Sequence, residues 1–234
     1  MCRWAMSSFV FCLMTSLREW FDERRTLREW GSLELVAPKP LLGTLRGVSD
    51  LRLRGMRGRD HEDMLRLRVA NQEWLTPWEA TMPPNTGQSL PTVSQFCRQS
   101  DQQVGRGLLA PFSIWVDGEL AGEVNAYAVS WQSLCSGMLG YWLRAEDAGR
   151  GIMPASIALA TDYLLGESGL HRLEVNIMPH NDASLRVMEK LGWRCEGRRA
   201  DYMYIQGKWQ DHLSFATTVE ELPAGGWTEF LSRP

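Results

Sequence analysis

Two glycines separated by one residue divide an apolar run from a helix-compatible run in the middle of the chain. Gly149 and Gly151 follow the aromatic segment 138–143 and precede an apolar segment that reaches Leu165. This order predicts a strand, a tight turn and a helix. The first amides of a helix have no intrahelical partner and lie at the positive end of its dipole, so they attract an anion such as a phosphate. Arg150, between the glycines, adds a positive charge and a planar set of donors.

The glycine pair does not belong to either of two familiar phosphate loops. No Gly-Lys-Ser/Thr follows it, which disfavours a nucleotide-hydrolysing P-loop, and no third glycine completes a dinucleotide fingerprint. By itself the pair is equally compatible with an ordinary strand-to-helix turn. The choice between an anion site and a plain turn therefore depends on the rest of the sequence.

A second motif lies at residues 179–193. It begins with Asn181 and Ser184, continues with apolar residues at helical spacing, and closes with Gly192 and Trp193. Taken alone, this start is typical of an ordinary helix N-terminus with Asn181 as its cap.

Together these motifs resemble those of the GCN5-related N-acetyltransferases (GNAT), and among them the RimJ/RimL-like ribosomal-protein-alanine N-acetyltransferases. The pyrophosphate loop of that family reads Gln/Arg-x-x-Gly-x-Gly/Ala, and its next helix opens with Asn-x-x-Ser. Glu146 departs from the loop pattern, because it stands where the family usually has Gln or Arg. The segment 201–212 also resembles the hairpin signature of the same group, with glutamine at two positions where the group has Asp and Arg.

The resemblance implies the GNAT fold, an α/β (α+β) architecture with a mixed, mostly antiparallel seven-stranded sheet and helices on both faces. Local signals agree, since Asp117-Gly118 between alternating apolar runs predicts an early hairpin and strand–helix–strand–helix follows. We predict a GNAT domain over residues 43–222 and a C-terminal tail over 223–234. Residues 1–42 are predicted to form an extension with an amphipathic helix and a linker at 37–40.

The resemblance further implies acetyl-CoA as cosubstrate and no metal. The predicted strand end would pair with the pantetheine arm and offer a backbone amide to the thioester oxygen, while the glycine turn would hold the pyrophosphate. The predicted cofactor contacts are Tyr141, Trp142, Leu143, Ala148, Gly149, Arg150, Gly151, Ile152, Met153, Asn181 and Ser184.

Acetyl transfer to an amine requires a polarised carbonyl, a neutral amine and a proton for the leaving thiolate. The resemblance implies Ser184 as the proton donor to sulfur. It points to Glu196 as the base, and Glu79 and the pair Asp211-His212 are alternatives for that role. Glu196 is also compatible with a solvent-facing carboxylate at the edge of a strand.

The acceptor implied by the resemblance is a protein or peptide N-terminus, specifically the N-terminal alanine of a ribosomal protein. A small amine, a free amino acid, an antibiotic and a non-catalytic CoA-binding role are the alternatives. The predicted acceptor contacts are Trp74, Trp78, Glu79, Tyr202 and Tyr204. For the tryptophans, ordinary aromatic packing is an equally open explanation, and alternating tyrosines in a hairpin are more often packing residues.

Charge and cysteine content bear on partners and location. A formal net charge of −3 disfavours direct nucleic-acid binding. Five cysteines without a Cys-x-x-Cys pair favour neither structural zinc nor a disulfide framework, and predict reduced thiols in a cytoplasmic protein. The apolar stretch 9–14 is too short to cross a bilayer, so no membrane partner is predicted. A monomer or a homodimer is expected.

Overall fold

An eight-stranded sheet runs through the centre of the protein. The structure, a computed structural model, describes residues 28–84 and 91–233. Its strands are β1 (Glu34–Val36), β2 (Leu51–Gly55), β3 (Ala110–Val116), β4 (Glu119–Ser130), β5 (Ser136–Leu143), β6 (Arg172–Ile177), β7 (Arg194–Ile205) and β8 (Lys208–Thr218). They lie in the order β1-β2-β3-β4-β5-β6-β8-β7. All neighbouring strands are antiparallel except β5 and β6, which are parallel.

Helices cover both faces of this sheet. They are α1 (Lys39–Leu42), α2 (Asp60–Ala70), α3 (Gln72–Leu75), α4 (Val93–Gly105), α5 (Ile152–Gly166), α6 (Asp182–Leu191) and α7 (Gly226–Ser232). α5 contacts α6 and α7 on one face, and α2 contacts α4 on the other. Thr92 is the N-cap of α4, where Thr92 and Gln95 form a reciprocal capping box.

The main hydrophobic core lies between the sheet and α5. Successive residues of a strand point to opposite faces, so Val124 and Ala126 are fully buried on the α5 side while Asn125 faces α2 and α4. Phe112 and Ile114 of β3 are fully buried in the same core. Each such side chain contributes about 1.5–3 kcal/mol relative to an exposed position.

The N-terminal part of the described chain belongs to this core. β1 pairs with β2 and gives the sheet one strand more than the seven predicted. The linker predicted at 37–40 is wrong, because α1 begins at Lys39 and its Leu41 is fully buried. Pro40 fits the first turn of α1, where a missing N–H costs no helical hydrogen bond. Most of the predicted amphipathic helix lies outside the described residues.

The C-terminal tail is anchored to α5. Both oxygens of Asp162 accept hydrogen bonds from α7, at 2.7 Å from the Trp227 amide and 3.0 Å from the Thr228 amide. The Trp227 side chain is buried in the main core. Asp162 thus satisfies amides at the start of α7 that have no partner within that helix. Across the described residues, no helix is long and apolar enough to span a membrane.

The sheet divides between its two parallel strands. β5 pairs with β6 only through Ser136–Met138, opposite Arg172–Glu174. Beyond this point the residues from Leu139 to Leu143 remain paired with β4 alone. The division opens towards the carboxyl ends of both strands, where α5 and α6 also begin. This is the place at which the sequence motifs come together.

Candidate active site

The glycine turn connects β5 to α5 with two left-handed residues. Gly149 has φ 77° and Gly151 has φ 87°, a region that glycine enters without steric cost. Gly151 is the N-cap of α5, and no side chain caps the first turn. The next helical residues, Ile152 and Met153, have amides at the helix N-terminus, where intrahelical acceptors are lacking. The turn therefore presents main-chain donors suited to an anion.

Asp147 holds this turn in place, and the sequence interpretation missed it. The carboxylate is 1% exposed and accepts hydrogen bonds from Arg144 and Arg150. Arg150 also donates to the main-chain oxygens of Arg46, at 3.0 Å, and Gly47. The Arg150 guanidinium is thus bound to other groups of the protein. The predicted phosphate contact of Arg150 would therefore come from its main chain. The arginines three residues before and after Asp147 were the available sequence signal.

Ser184 and Tyr141 come together at the divided end of the sheet. Asn181 caps α6, because its Oδ1 accepts a hydrogen bond from the Ser184 amide at 3.1 Å. The Tyr141 hydroxyl is buried and has no hydrogen-bond partner among the described residues. Burial raises the pKa of this hydroxyl, and the nearby Ser184 side chain partly opposes the rise. The predicted proton donor therefore lies beside β5, on the α5 side of the sheet.

Glu196 is poorly suited to the predicted role of base. Its carboxylate bonds to Arg172 at 3.0 Å and to Arg194 at 2.8 Å. These two guanidinium groups lower the pKa of Glu196 to about 2. Arg172 also lies at the amino end of β6, whereas the sheet divides towards the carboxyl end. A carboxylate so strongly held in its charged form has little tendency to take a proton from an amine.

We expect Glu196→Gln to leave the pH dependence of acetyl transfer unchanged. Its expected effect is on stability, about 0.2–1 kcal/mol at neutral pH, as for other surface ion pairs. Because the folded-state pKa is depressed, this contribution is present above the ordinary pKa of 4.5 and disappears as the pH falls towards 2. Denaturant unfolding at pH 7 and pH 3 measures it. A large rate loss at neutral pH, together with disappearance of the acid limb of the pH profile, would restore Glu196 to the mechanism.

The predicted acceptor residues on α3 and the following turn lie over the end of β5. Trp74 donates its indole N–H to the Leu143 carbonyl at 3.1 Å. The Trp78 ring lies 5.7 Å from the His180 ring, just before α6. Glu79 is ion-paired with Arg68 at 2.8 Å, and the Arg68 guanidinium stacks on Trp142. Trp74 and Trp78 remain 43% and 36% exposed, so both are accessible beside the divided strands.

The β7–β8 hairpin closes the same side. The Thr81 amide donates to the Tyr204 carbonyl at 2.8 Å, and the Tyr202 hydroxyl lies 3.7 Å from the Met138 sulfur. Asp211 bonds to Arg198 and to the Asp201 amide. His212 is buried, which lowers its pKa, and its Nδ1 contacts the Gln210 carbonyl. Asp211 and His212, the alternative candidates for the general base, therefore each have their own hydrogen-bond partners.

A carboxylate on β4, Glu123, was also missed by the sequence interpretation. It lies opposite Trp142 in the β4–β5 register and accepts the indole N–H of Trp142 at 3.0 Å. Its other oxygen lies 3.2 Å from the Asn125 amide nitrogen. No sequence motif marks Glu123, because its position beside β5 results from strand pairing. Elsewhere among the described residues, no three His, Cys, Asp or Glu side chains gather as a metal site would require.

A parallel strand pair that divides beside an uncapped glycine turn is the architecture of an acyl-CoA-dependent N-acyltransferase. Residues 50–194 match the family model described as "Acetyltransferase (GNAT) domain". The chain belongs to this family, and it is an N-acetyltransferase. The predicted superfamily and fold class are thereby confirmed.

Similar proteins include several ribosomal acetyltransferases. The solved structure of Mycobacterium smegmatis RimJ in complex with CoA-disulfide superposes with a TM-score of 0.70 and 33% identity, covering 78% of this chain and 88% of that one. The [ribosomal protein uS5]-alanine N-acetyltransferase of Escherichia coli is 29% identical over 66% of this chain and 80% of its own. The probable N-acetyltransferase YjcK of Bacillus subtilis is 38% identical over 43% of this chain, and the match spans only 55% of that relative.

Proposed function

We propose that this protein transfers the acetyl group of acetyl-CoA to the N-terminal alanine of a ribosomal protein, by direct attack of the α-amino group. The observation that carries the proposal is the uncapped glycine turn beside the divided strands, in a chain 33% identical to RimJ, whose structure is a complex with CoA-disulfide. The similarity to the E. coli uS5-alanine enzyme supports the alanine acceptor. We place the reaction in the cytoplasm and expect a monomer or a homodimer.

Separate groups of this chain would bind the cofactor and donate the proton. Main-chain donors at 149–153 would bind the diphosphate, and the unpaired edge of β5 would bind the pantetheine arm. Acetyl-CoA supplies the activated thioester and the thiol leaving group. Ser184 would donate a proton to the departing sulfur. Asn181 would hold the serine in position, because its Oδ1 accepts a hydrogen bond from the Ser184 amide at the start of α6.

The acceptor would approach from the other face of the sheet. Trp74 and Trp78 border that approach from α3 and its following turn, and Tyr202 and Tyr204 border it from the hairpin. Glu79, held by Arg68, gives this border a carboxylate for a positively charged peptide end. An extended peptide presenting its first residue fits such an aromatic border, because aromatic side chains bind at low entropic cost.

An acceptor screen tests the proposal. The purified protein is incubated with acetyl-CoA and peptides beginning with Ala, Ser or Lys, alongside spermidine and free amino acids, and products are identified by mass spectrometry. We expect acetylation at the α-amino group, with the alanine peptides fastest. If none of the peptides is acetylated at its N-terminal amine, the ribosomal assignment is wrong. Thermal stabilisation by acetyl-CoA without thiol release would instead indicate a binding protein.

A further inference from the structure

The hydroxyl of Tyr141 lies on the α5 side of the sheet, against the main core. Tyr141 pairs directly with Val124 in the β4–β5 register, and directly paired residues of an antiparallel ladder share a face. Val124 is fully buried on the α5 side, so the Tyr141 side chain points to that side as well. The Tyr141 ring is partly exposed, but its oxygen is buried and has no hydrogen-bond partner among the described residues.

Ser184 is the neighbour of this hydroxyl. Burial raises the pKa of the Tyr141 phenol, and the Ser184 side chain lies close enough to oppose part of the rise by hydrogen bonding. The Ser184 amide donates to Asn181 Oδ1 at 3.1 Å, which fixes the serine in the first turn of α6. The two hydroxyls are therefore adjacent without a well-aligned hydrogen bond between them. Hydrogen bonds of an active site are often long or poorly aligned before the substrate is bound.

The burial of the two hydroxyls decides which of them donates. Each has one proton and two lone pairs. The Tyr141 phenol keeps its proton at neutral pH, because burial raises its pKa, and a buried donor without an acceptor costs free energy. The Ser184 side chain is partly exposed, so its own proton can turn towards a bound cofactor. The arrangement that satisfies both groups has Tyr141 donating to the serine oxygen.

We propose that Tyr141 is a positioning residue for departure of the thiol: its hydroxyl donates a hydrogen bond to Ser184 Oγ and thereby directs the serine proton to the sulfur. The inference rests on the proposed function, in which Ser184 protonates the sulfur, and deepens it. Negative charge develops on Ser184 Oγ as its proton leaves, and a hydrogen bond to a charged acceptor is stronger than one to a neutral acceptor. The Tyr141 contact thus stabilises the serine at the moment of proton transfer.

The step balances without a proton from Tyr141. The lone pair of the neutral α-amino group forms the C–N bond, and the C–S bond breaks with its electron pair on sulfur. Ser184 passes its proton to that sulfur and regains one from solvent, to which its side chain has access. The acceptor nitrogen releases one proton to solvent. The O–H bond of Tyr141 stays intact throughout.

Tyr141→Phe removes the hydroxyl and retains the ring. We expect kcat to fall about tenfold, the loss that a single hydrogen bond accounts for. KM for acetyl-CoA and the affinity for CoA should stay unchanged, because the pantetheine arm would pair with the main chain of β5. Tyr163→Phe is the matched control and should behave as wild type, since Tyr163 lies near the end of α5 and its ring contacts Trp30 and Phe112. Rates are measured with any amine that the acceptor screen shows to be acetylated.

A double-variant cycle separates positioning from general damage to the site. Ser184→Ala removes the proton donor and should lower kcat about 10²–10⁴-fold. Adding Tyr141→Phe should cause no further loss, because no serine hydroxyl remains to be directed. Losses that multiply in the double variant overturn the proposal. Wild-type kcat in either single variant overturns it as well.

A spectroscopic measurement needs no acceptor and keeps this inference separate from the proposed function. CoA is bound to the wild type, Tyr141→Phe and Tyr163→Phe, and ionisation of its thiol is followed by ultraviolet absorbance as the pH is raised, with the CoA-free protein as the blank. Because the directed serine proton stabilises the thiolate, we expect the ionisation constant of the bound thiol to fall about tenfold in Tyr141→Phe alone. Equal constants in the wild type and Tyr141→Phe refute the role of Tyr141. The expected difference, without acetylation of any N-terminal amine, would instead refute the proposed function alone.

Discussion

Replacing Asp147 by alanine is expected to destabilise the protein by about 3–5 kcal/mol, the usual result of removing one partner from a buried ion pair. The carboxylate is 1% exposed and joins Arg144 to Arg150 across the turn before α5. Arg144 retains Glu119 at 3.1 Å, so the lower half of that range is expected. Arg150 loses this buried carboxylate, and its remaining hydrogen bonds within the described residues go to the main-chain oxygens of Arg46 and Gly47.

The same substitution should weaken CoA binding at least tenfold. Asp147 joins Arg144 to Arg150 across the turn, so its removal loosens the loop that carries both glycines. Urea unfolding measures the stability change, and calorimetric titration with CoA measures the affinity. Glu146→Ala is the matched control, because that neighbouring carboxylate is 70% exposed and should change stability by less than about 0.5 kcal/mol. Equal affinities in the wild type and Asp147→Ala would show that the turn is held by other contacts.

Gly122→Ala is expected to cost about 1–3 kcal/mol, as overpacking of a tight interior does. A Cβ at this position would lie 2.3 Å from the Trp142 carbonyl oxygen and 2.9 Å from the Leu143 Cα. Both atoms belong to the main chain of β5, so no side-chain rotation relieves the clash. β5 itself must move away from β4.

That movement affects the part of β5 that would hold the pantetheine arm. We therefore expect Gly122→Ala to lower both the unfolding midpoint and the CoA affinity. Gly166→Ala provides the control, since a Cβ there meets nothing within 4 Å and its φ is not in the left-handed region. It should be neutral, or stabilising by about 0.4–1 kcal/mol through the unfolded state. A Gly122→Ala protein with the wild-type midpoint and affinity would mean that β5 tolerates the shift.

Local patterns were sufficient for most of the secondary structure. The apolar, aromatic segment 138–143 predicted a strand, and the structure has β5 at Ser136–Leu143. The helix predicted from Asn181 to Leu191 is α6, with Asn181 as its cap. The linker prediction failed at Pro38-Lys39-Pro40, because proline ends a helix when it lies inside one but fits the first turn. Leu41 holds α1 in place because it is buried against residues that are distant in the sequence, and local patterns do not report such contacts.

From β2 onward, the sequence by itself determined the order of strands and helices, the glycine turn and the Asn181–Ser184 helix start, since these depend on neighbouring residues and on motifs of fixed spacing. Only the tertiary structure decided which charged groups have partners. It pairs Glu196 with Arg172 and Arg194, and it places Glu123 opposite Trp142. The physical reason is that a carboxylate's proton affinity depends on charges and burial within a few ångströms, and strand pairing brings those groups from distant parts of the chain.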